Sequence, residues 1–242
     1  CRHMQVDMVA FTGSTSVGRD LLRYSAESNL KRVILELGGK NPQVVLADAD
    51  LDLVAPHALN SAFWNMGENC SAGSRLIVHR SVKDALVEKV IEQTKSWPIG
   101  DPLNPKNRVG PLIEPSHMQT VLNYIKAGHK DGGKLVLGGK QVLQKTGGNY
   151  VELTIFDEVK NSMTIAQEEI FGPVLAVIPV DSDEEAIAVA NDTNYGLAAS
   201  LHTRDLNKAH RYARAIRAGV VSVNTFSEGD LTTPFGGFKE SG

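Results

Sequence analysis

The order of the predicted elements indicates an α/β protein with a mostly parallel sheet. Strand-like apolar runs alternate with helix-like stretches, and breaks rich in Gly and Pro separate them. No internal repeat or low-complexity segment interrupts this alternation. Because parallel strands need long crossover connections, we expect a three-layer arrangement with helices on both faces of the sheet.

The N-terminal part predicts a single strand–helix–strand unit. The apolar run 6–11 is expected to form a buried strand, the stretch up to about Ser28 a helix, and residues 32–37 the next strand. A lone unit of this kind cannot cover a parallel sheet on both faces. We therefore expect that sequence upstream of Cys1, or another chain, completes this sheet.

The run Gly38-Gly39-Lys40-Asn41-Pro42 interrupts the pattern and is the predicted domain boundary. It separates a domain remnant at 1–38 from a second domain at 39–242. In the second domain we predict strands at 43–47, 74–79, 134–137, 150–156, 174–180, 197–203 and 220–224, and helices at 51–65, 82–95, 115–130, 183–191 and 206–217. The end of the chain, 234–242, indicates a loop, so we expect a chain cut at both ends.

Composition excludes several classes of function. The net charge of −3 gives no electrostatic reason to expect nucleic acid or an anionic membrane as a partner. No apolar run approaches the ~20 residues that cross a bilayer. The two cysteines, Cys1 and Cys70, cannot form a disulfide framework, which favours a reducing, cytoplasmic location. The seven histidines show no metal-ligand spacing, so no metal site is expected.

A glycine-bounded loop, Gly13-Ser14-Thr15-Ser16-Val17-Gly18, joins the first strand to the first helix. The N–H groups at a helix start and the helix dipole favour a bound phosphate. The spacing is not the GxGxxG fingerprint, and Arg19 excludes a P-loop because that motif needs Lys after its last glycine. Taken alone, a plain turn without a ligand is an equally good interpretation.

Two side chains are candidates for chemistry. Cys70 lies among small and polar residues after an apolar helix, a setting in which N–H groups lower a thiol pKa and stabilise an oxyanion. Glu36 ends a strand directly before two glycines, where burial would raise its pKa and suit it to general-base work. Taken alone, a small buried cysteine is as good an interpretation, and a solvated strand-end carboxylate is the better one.

Six motifs together resemble the aldehyde dehydrogenase superfamily and occur in its order. They cover essentially the whole chain, and Glu36 and Cys70 have the family's spacing. The motifs are Phe11-Thr12-Gly13-Ser14-Thr15-Ser16-Val17-Gly18, Leu35-Glu36-Leu37-Gly38-Gly39-Lys40, residues 67–75 around Cys70, Glu168-Glu169-Ile170-Phe171-Gly172-Pro173-Val174, Asn194-Tyr195-Gly196-Leu197 and Pro234-Phe235-Gly236-Gly237.

The resemblance implies a role for each matching residue. Cys70 would be the nucleophile and Glu36 the base that activates water for hydrolysis of the thioester. Around the cofactor, Gly13 and Ser14 would lie near the pyrophosphate, Val17 near the adenine, Leu37 near the nicotinamide, Glu169 on the nicotinamide ribose and Phe171 beside it.

The same resemblance implies the fold and the partners. Residues 1–38 would be the end of a Rossmann-like coenzyme-binding domain, and residues 39–242 the catalytic domain. The cofactor would be NAD, with NADP possible, and the substrate a small-molecule aldehyde. The full-length form would be a homo-oligomer. Because the family's upstream half of the cofactor site is missing, we expect the isolated chain not to oxidise aldehydes by itself.

The sequence before the last motif suggests a substrate class. In the family this segment lines the substrate mouth, and here it carries Glu228 and Asp230. Two carboxylates would attract a cationic aldehyde, and the run resembles members that act on aminoaldehydes such as γ-glutamyl-aminobutyraldehyde. Two solvated loop acids are an equal alternative. Phe63 and Trp64 are expected in the substrate tunnel, with a core role as the rival.

Three other functions remain open at this point. A CoA-acylating relative would share the fold and the thiol, but such enzymes often lack the carboxylate that Glu36 provides. A thiol esterase could use Cys70 and Glu36 without NAD. A non-catalytic structural fragment would need neither residue.

Overall fold

A computed structural model describes residues 1–226 and 231–242, which form a seven-stranded sheet, called the large sheet, and three two-stranded sheets, of which the N-terminal one is called the small sheet. The small sheet pairs β1 (Met8–Thr12) in parallel with β2 (Arg32–Glu36). Helix α1 (Thr15–Ala26) connects them, and Ser14 caps its start by accepting a hydrogen bond from the Val17 N–H. The predicted strand–helix–strand unit is therefore present.

The remaining elements are numbered in chain order. The other strands of the described residues are β3 (Pro42–Val45), β4 (Arg75–His79), β5 (Lys134–Leu137), β6 (Gln141–Val142), β7 (Tyr150–Val151), β8 (Thr154–Asp157), β9 (Val174–Val180), β10 (Tyr195–Gly196), β11 (Ala198–His202), β12 (Val220–Val223) and β13 (Phe238–Lys239). The other α-helices are α2 (Leu51–Phe63), α3 (Arg80–Thr94), α4 (Pro115–Lys130), α5 (Thr164–Gln167), α6 (Asp183–Asn191) and α7 (Leu206–Ala215).

The large sheet has seven strands in the order β12-β11-β3-β4-β9-β8-β5. Every neighbouring pair is parallel except β5 with β8. Alternate residues of these strands supply two apolar clusters on opposite faces of the sheet. Helices α2 and α3 pack on one face, and α4 to α7 on the other, so the predicted three-layer, mostly parallel fold is confirmed.

Four local predictions were wrong. The strand predicted to be buried at 6–11 is β1, and none of its residues is buried. The predicted strand 150–156 is divided into β7 and β8, which belong to different sheets. The predicted helix 51–65 ends at Phe63, because Asn65 and Met66 adopt left-handed backbone angles that no α-helix continues. The C-terminal loop contains β13, which pairs antiparallel with β10. No helix in the described part of the chain is long and apolar enough to cross a membrane.

Candidate active site

A cavity of about 460 Å³ lies where the two sheets meet. Seven residues predicted from the sequence line it: Gly13, Ser14, Glu36, Leu37, Cys70, Glu169 and Phe171. The small sheet contributes its first loop and the end of β2, whereas the large sheet contributes the turn after α2 and the segment before β9. The fold thus brings distant parts of the chain together. For example, Gly39 and Glu169 are 130 positions apart in the sequence and are joined by a hydrogen bond.

Glu36 is the last residue of β2, so its backbone is fixed by the strand pairing. Its carbonyl accepts a hydrogen bond of 3.0 Å from the Gly13 N–H, which joins it to the predicted phosphate loop. Among the described residues, the buried Oε2 of its carboxyl has no hydrogen-bond partner. Burial raises the pKa of Glu36, because the charged form loses hydration without gaining a compensating donor. Such a carboxylate is a ready proton acceptor.

Cys70 is half-buried in a tight polar turn. Asn69 Oδ1 accepts hydrogen bonds from the Ser71 N–H at 3.2 Å and from the Ser71 hydroxyl at 3.1 Å. The Asn69 carbonyl accepts a third from the Ala72 N–H at 3.1 Å. This pattern of a side chain satisfying nearby backbone groups is an Asx turn, and it fixes the direction of the Cys70 backbone.

The side chain of Asn41 holds the turn that contains Cys70 through hydrogen bonds, a role that the sequence did not predict. Its side-chain amide donates to the Cys70 carbonyl at 2.8 Å and to the Ala72 carbonyl at 3.0 Å. Its Oδ1 accepts from the Ala198 N–H at the start of β11. A Cβ on Gly39 would collide with the same Cys70 carbonyl, so this position requires glycine. The turn is therefore anchored to the large sheet.

Glu169 faces the cavity from the other side. Its Oε1 accepts a hydrogen bond of 3.0 Å from the Gly39 N–H, and a Cβ on Gly38 would collide with its Oε2. Burial raises the pKa of Glu169, while the Gly39 donor and the positive charge of Lys40 oppose that rise. Burial and the charge of Arg75 lower the pKa of Lys40 to about 7. A carboxylate in this position can bind hydroxyl groups.

The first turn of α1 provides the surface expected for a phosphate. It carries no acidic side chain that would repel an anion. A Cβ on Gly18 would lie only 2.8 Å from Leu37 Cδ1, so this glycine lets α1 approach the end of β2. The residues present therefore fit a dinucleotide: a helix start for phosphate, a nearby glycine loop and a buried carboxylate for hydroxyls. Val17 is exposed on α1 and is not among the residues that line the cavity.

Two of the four predicted substrate residues lie in the described part of the chain, and neither lines this cavity. Phe63 is completely buried in the apolar cluster under α2 and α3, which is the core role that was its rival interpretation. Trp64 is 53% exposed and lines a separate groove together with Trp97 and Arg108. Glu228 and Asp230 lie outside the described residues.

Four further residues line the cavity without a role predicted from the sequence: Thr12, Gly38, Glu68 and Asn69. Thr12 ends β1, and Glu68 precedes Cys70 by two positions. Glu68 belongs to the motif around Cys70, but its contacts come from distant parts of the chain, which no local pattern reveals. Among the described residues no group of three or more His, Cys, Asp or Glu side chains could hold a metal ion.

The family model described as "Aldehyde dehydrogenase family" matches residues 1–242. The chain belongs to the aldehyde dehydrogenase family. It is 54% identical over 242 residues to aminoacetaldehyde dehydrogenase from Pseudomonas aeruginosa, covering 100% of this chain and 48% of that protein.

Solved aldehyde dehydrogenase structures agree with the fold. A structure of indole-3-acetaldehyde dehydrogenase in complex with NAD⁺ has a TM-score of 0.98 at 58% identity, covering 99% of this chain and 49% of that chain. A γ-glutamyl-γ-aminobutyraldehyde dehydrogenase from Burkholderia cenocepacia has a TM-score of 0.96 at 51% identity, covering 99% and 48%. The chain thus spans about half the length of the relatives it matches.

Proposed function

We propose that this chain provides the catalytic thiol and general base of an NAD-dependent aldehyde dehydrogenase. The observation that carries the proposal is that Cys70 and Glu36 line one cavity, and that the buried Oε2 of Glu36 has no hydrogen-bond partner among the described residues. Glu36 ends β2 of the small sheet, whereas Cys70 lies in the turn between α2 and β4, so separate elements of the chain bring the two side chains together. A thiol and a proton acceptor at one surface are what acyl transfer through a thioester requires.

The chemistry follows from these two groups. The Cys70 thiolate attacks the carbonyl carbon of an aldehyde, and the Cys70 backbone N–H donates to the resulting oxyanion. NAD, when bound, supplies the acceptor for the hydride. The acyl group that remains on Cys70 is a thioester, and Glu36 takes a proton from the water that hydrolyses it. Hydrolysis returns the thiol and releases a carboxylate.

The position of the coenzyme is also part of the proposal. Gly13 and Ser14 at the start of α1 support the pyrophosphate, and Glu169 is placed to accept hydrogen bonds from ribose hydroxyls. Leu37 and Phe171 line the same cavity and offer apolar surface to a nicotinamide ring. The solved relative that carries NAD⁺ supports NAD as the cofactor. The oligomer, the cytoplasmic location and the boundary near Gly38 remain predictions.

Aminoaldehydes are the proposed substrate class. Two similar proteins are named for aminoacetaldehyde and for γ-glutamyl-γ-aminobutyraldehyde, although another is named for indole-3-acetaldehyde. Glu228 and Asp230 give the electrostatic reason, because paired carboxylates attract a cationic substrate. In the double variant Glu228→Gln with Asp230→Asn, we expect kcat/KM for 4-aminobutyraldehyde to fall about tenfold relative to hexanal. An unchanged ratio of the two kcat/KM values would exclude charge steering.

The mechanism is tested in the complete natural polypeptide that carries this sequence. Cys70→Ala should lower NADH production at least ~1000-fold, since the covalent route is lost. Glu36→Gln should allow about one NADH per site and then stall, because removing a general base costs roughly 100- to 10,000-fold. Mass spectrometry should then find the acyl group on the Cys70 peptide. Cys1→Ala is the matched thiol control and should keep the full rate.

The pH dependence provides a second check on Glu36. Because its pKa is raised, the carboxylate is lost at a higher pH than for an ordinary glutamate, whose pKa is about 4.3. The steady-state rate should therefore fall on acidification before ordinary glutamates titrate, and this limb should be absent in Glu36→Gln. A Glu36→Gln variant that turns over continuously at the unaltered rate would refute the assignment.

A further inference from the structure

One face of helix α4 contacts the segment from Glu168 to Gly172, which carries Glu169. His117, Val121 and Tyr124 have the spacing i, i+4, i+7, which places them on one side of a helix. Tyr124 donates to Glu168 Oε2 at 2.9 Å, and Val121 lies so close to Gly172 that a Cβ there would clash. The segment is therefore fixed along its length by a helix outside the cavity.

His117 makes the contact nearest to the coenzyme side of the cavity. Its Nε2 lies 2.6 Å from the Phe171 carbonyl oxygen, and because a carbonyl only accepts, this Nε2 carries the proton. The imidazole also meets the Phe171 ring edge-on, with centroids 6.2 Å apart and planes at 69°. Phe171 has a φ of 55°, a left-handed conformation that is unfavourable for an aromatic residue. Such a backbone needs surrounding contacts to hold it.

The same nitrogen of His117 also lies near the turn that carries the thiol. Glu68 Oε1 is 3.6 Å from His117 Nε2 and accepts a hydrogen bond of 3.1 Å from the Ile113 N–H, just before α4. Gly67 has a φ of 72°, and a Cβ on it would collide with the Gly172 carbonyl. The Cys70 turn and the Phe171 segment are thus in contact, and His117 touches both.

We propose that His117 is a positioning residue that sets the coenzyme-side segment relative to the Cys70 turn. Glu169 lies two residues before Phe171, so its place in the cavity depends on where the Phe171 carbonyl is held. The inference rests on the proposed function, because it assigns the segment to coenzyme binding. Loss of the His117 hydrogen bond should weaken NAD binding while leaving the intrinsic reactivity of the thiol unchanged.

Two variants separate the hydrogen bond from the ring. His117→Gln keeps an N–H donor at the same number of bonds from Cβ, whereas His117→Phe keeps an aromatic edge without a donor. In the complete natural polypeptide, His117→Phe should raise the Kd for NAD, measured by calorimetry, and the KM for NAD about tenfold. His117→Gln should restore most of the affinity. Gln119→Ala, on the exposed face of α4, is the control and should behave as the unaltered protein.

Two additional measurements make the test decisive. The rate of Cys70 alkylation by iodoacetamide without NAD and the melting temperature should be the same in all variants. An equal loss of NAD affinity in both His117 variants, or no loss in His117→Phe, would overturn the inference. A loss that parallels a fall in melting temperature would also overturn it. If the unaltered protein binds NAD but forms no NADH, the proposed function is refuted while the inference about His117 is not.

Discussion

Strand β3 of the large sheet is buried at all four residues, whereas strand β1 of the small sheet alternates between exposed and half-buried residues. Both strands are in parallel sheets, which normally have helices on both faces. The large sheet meets that condition, while in the described residues the small sheet carries only α1. Both apolar clusters of the described residues lie on the large sheet, whereas Glu36 and the loop between β1 and α1 belong to the small one.

The largest expected effect compares two apolar side chains. Leu76 in β4 is completely buried, whereas Ile34 in β2 is 45% exposed. Leu76→Ala should lower the free energy of unfolding of this chain by about 2–5 kcal/mol, because it leaves a cavity between close-packed helices and sheet. Ile34→Ala should cost less than about 1 kcal/mol. Urea denaturation followed by circular dichroism measures both values, and similar losses would contradict the comparison.

A smaller effect concerns acid sensitivity, which we assign to the large sheet. His202 in β11 is completely buried, and neither ring nitrogen has a hydrogen-bond partner among the described residues. Burial, assisted by the charge of His57, lowers the pKa of His202 to about 4. The unfolded chain binds this proton near pH 6.5, so stability is complete above that pH and falls as the pH drops towards 4. The loss should reach up to about 3 kcal/mol.

His202→Phe tests this assignment. It keeps a ring of similar shape and removes both unpartnered nitrogens, so the protein should be at least as stable at neutral pH. The decrease in the free energy of unfolding between pH 6.5 and 4 should become smaller, as measured by urea titrations at several pH values. His3→Gln is the control, since His3 is exposed beside the small sheet and its replacement should leave the pH profile unchanged. An identical pH profile in His202→Phe would contradict the prediction.

Local signals in the sequence explain which helices and strands could be predicted. The bounds of α4, β9 and α6 agree with the sequence predictions, because Pro115 starts α4 and Ser182 caps α6 before three acidic residues. These are local signals, and the regular alternation they create was sufficient for the fold. The motifs singled out Cys70 and Glu36, which line one cavity, because each motif is also local.

The remaining features depend on contacts between distant residues. Asn41 under the Cys70 turn and His117 against Phe171 are separated from their partners by 29 and 54 positions. The pairing of β13 with β10 likewise joins segments about 40 residues apart, and each is too short to have a periodicity. The propensity of a single segment carries no information about such contacts, so only the assembled structure reveals them.

The smallest expected effect lies at the contact between α1 and the C-terminal segment. Arg19 forms an ion pair with Glu240 at 2.6 Å, and the two side chains are 61% and 35% exposed. Hydrated pairs of this kind contribute at most about 1 kcal/mol, because salt and water screen them. The segment is also held by backbone contacts, including a hydrogen bond of 2.8 Å from the Leu37 N–H to the Ser241 carbonyl. Arg19→Gln should therefore shift the urea midpoint only slightly, and added salt should abolish the shift. A loss as large as that of Leu76→Ala would mean that the small sheet depends on this single pair.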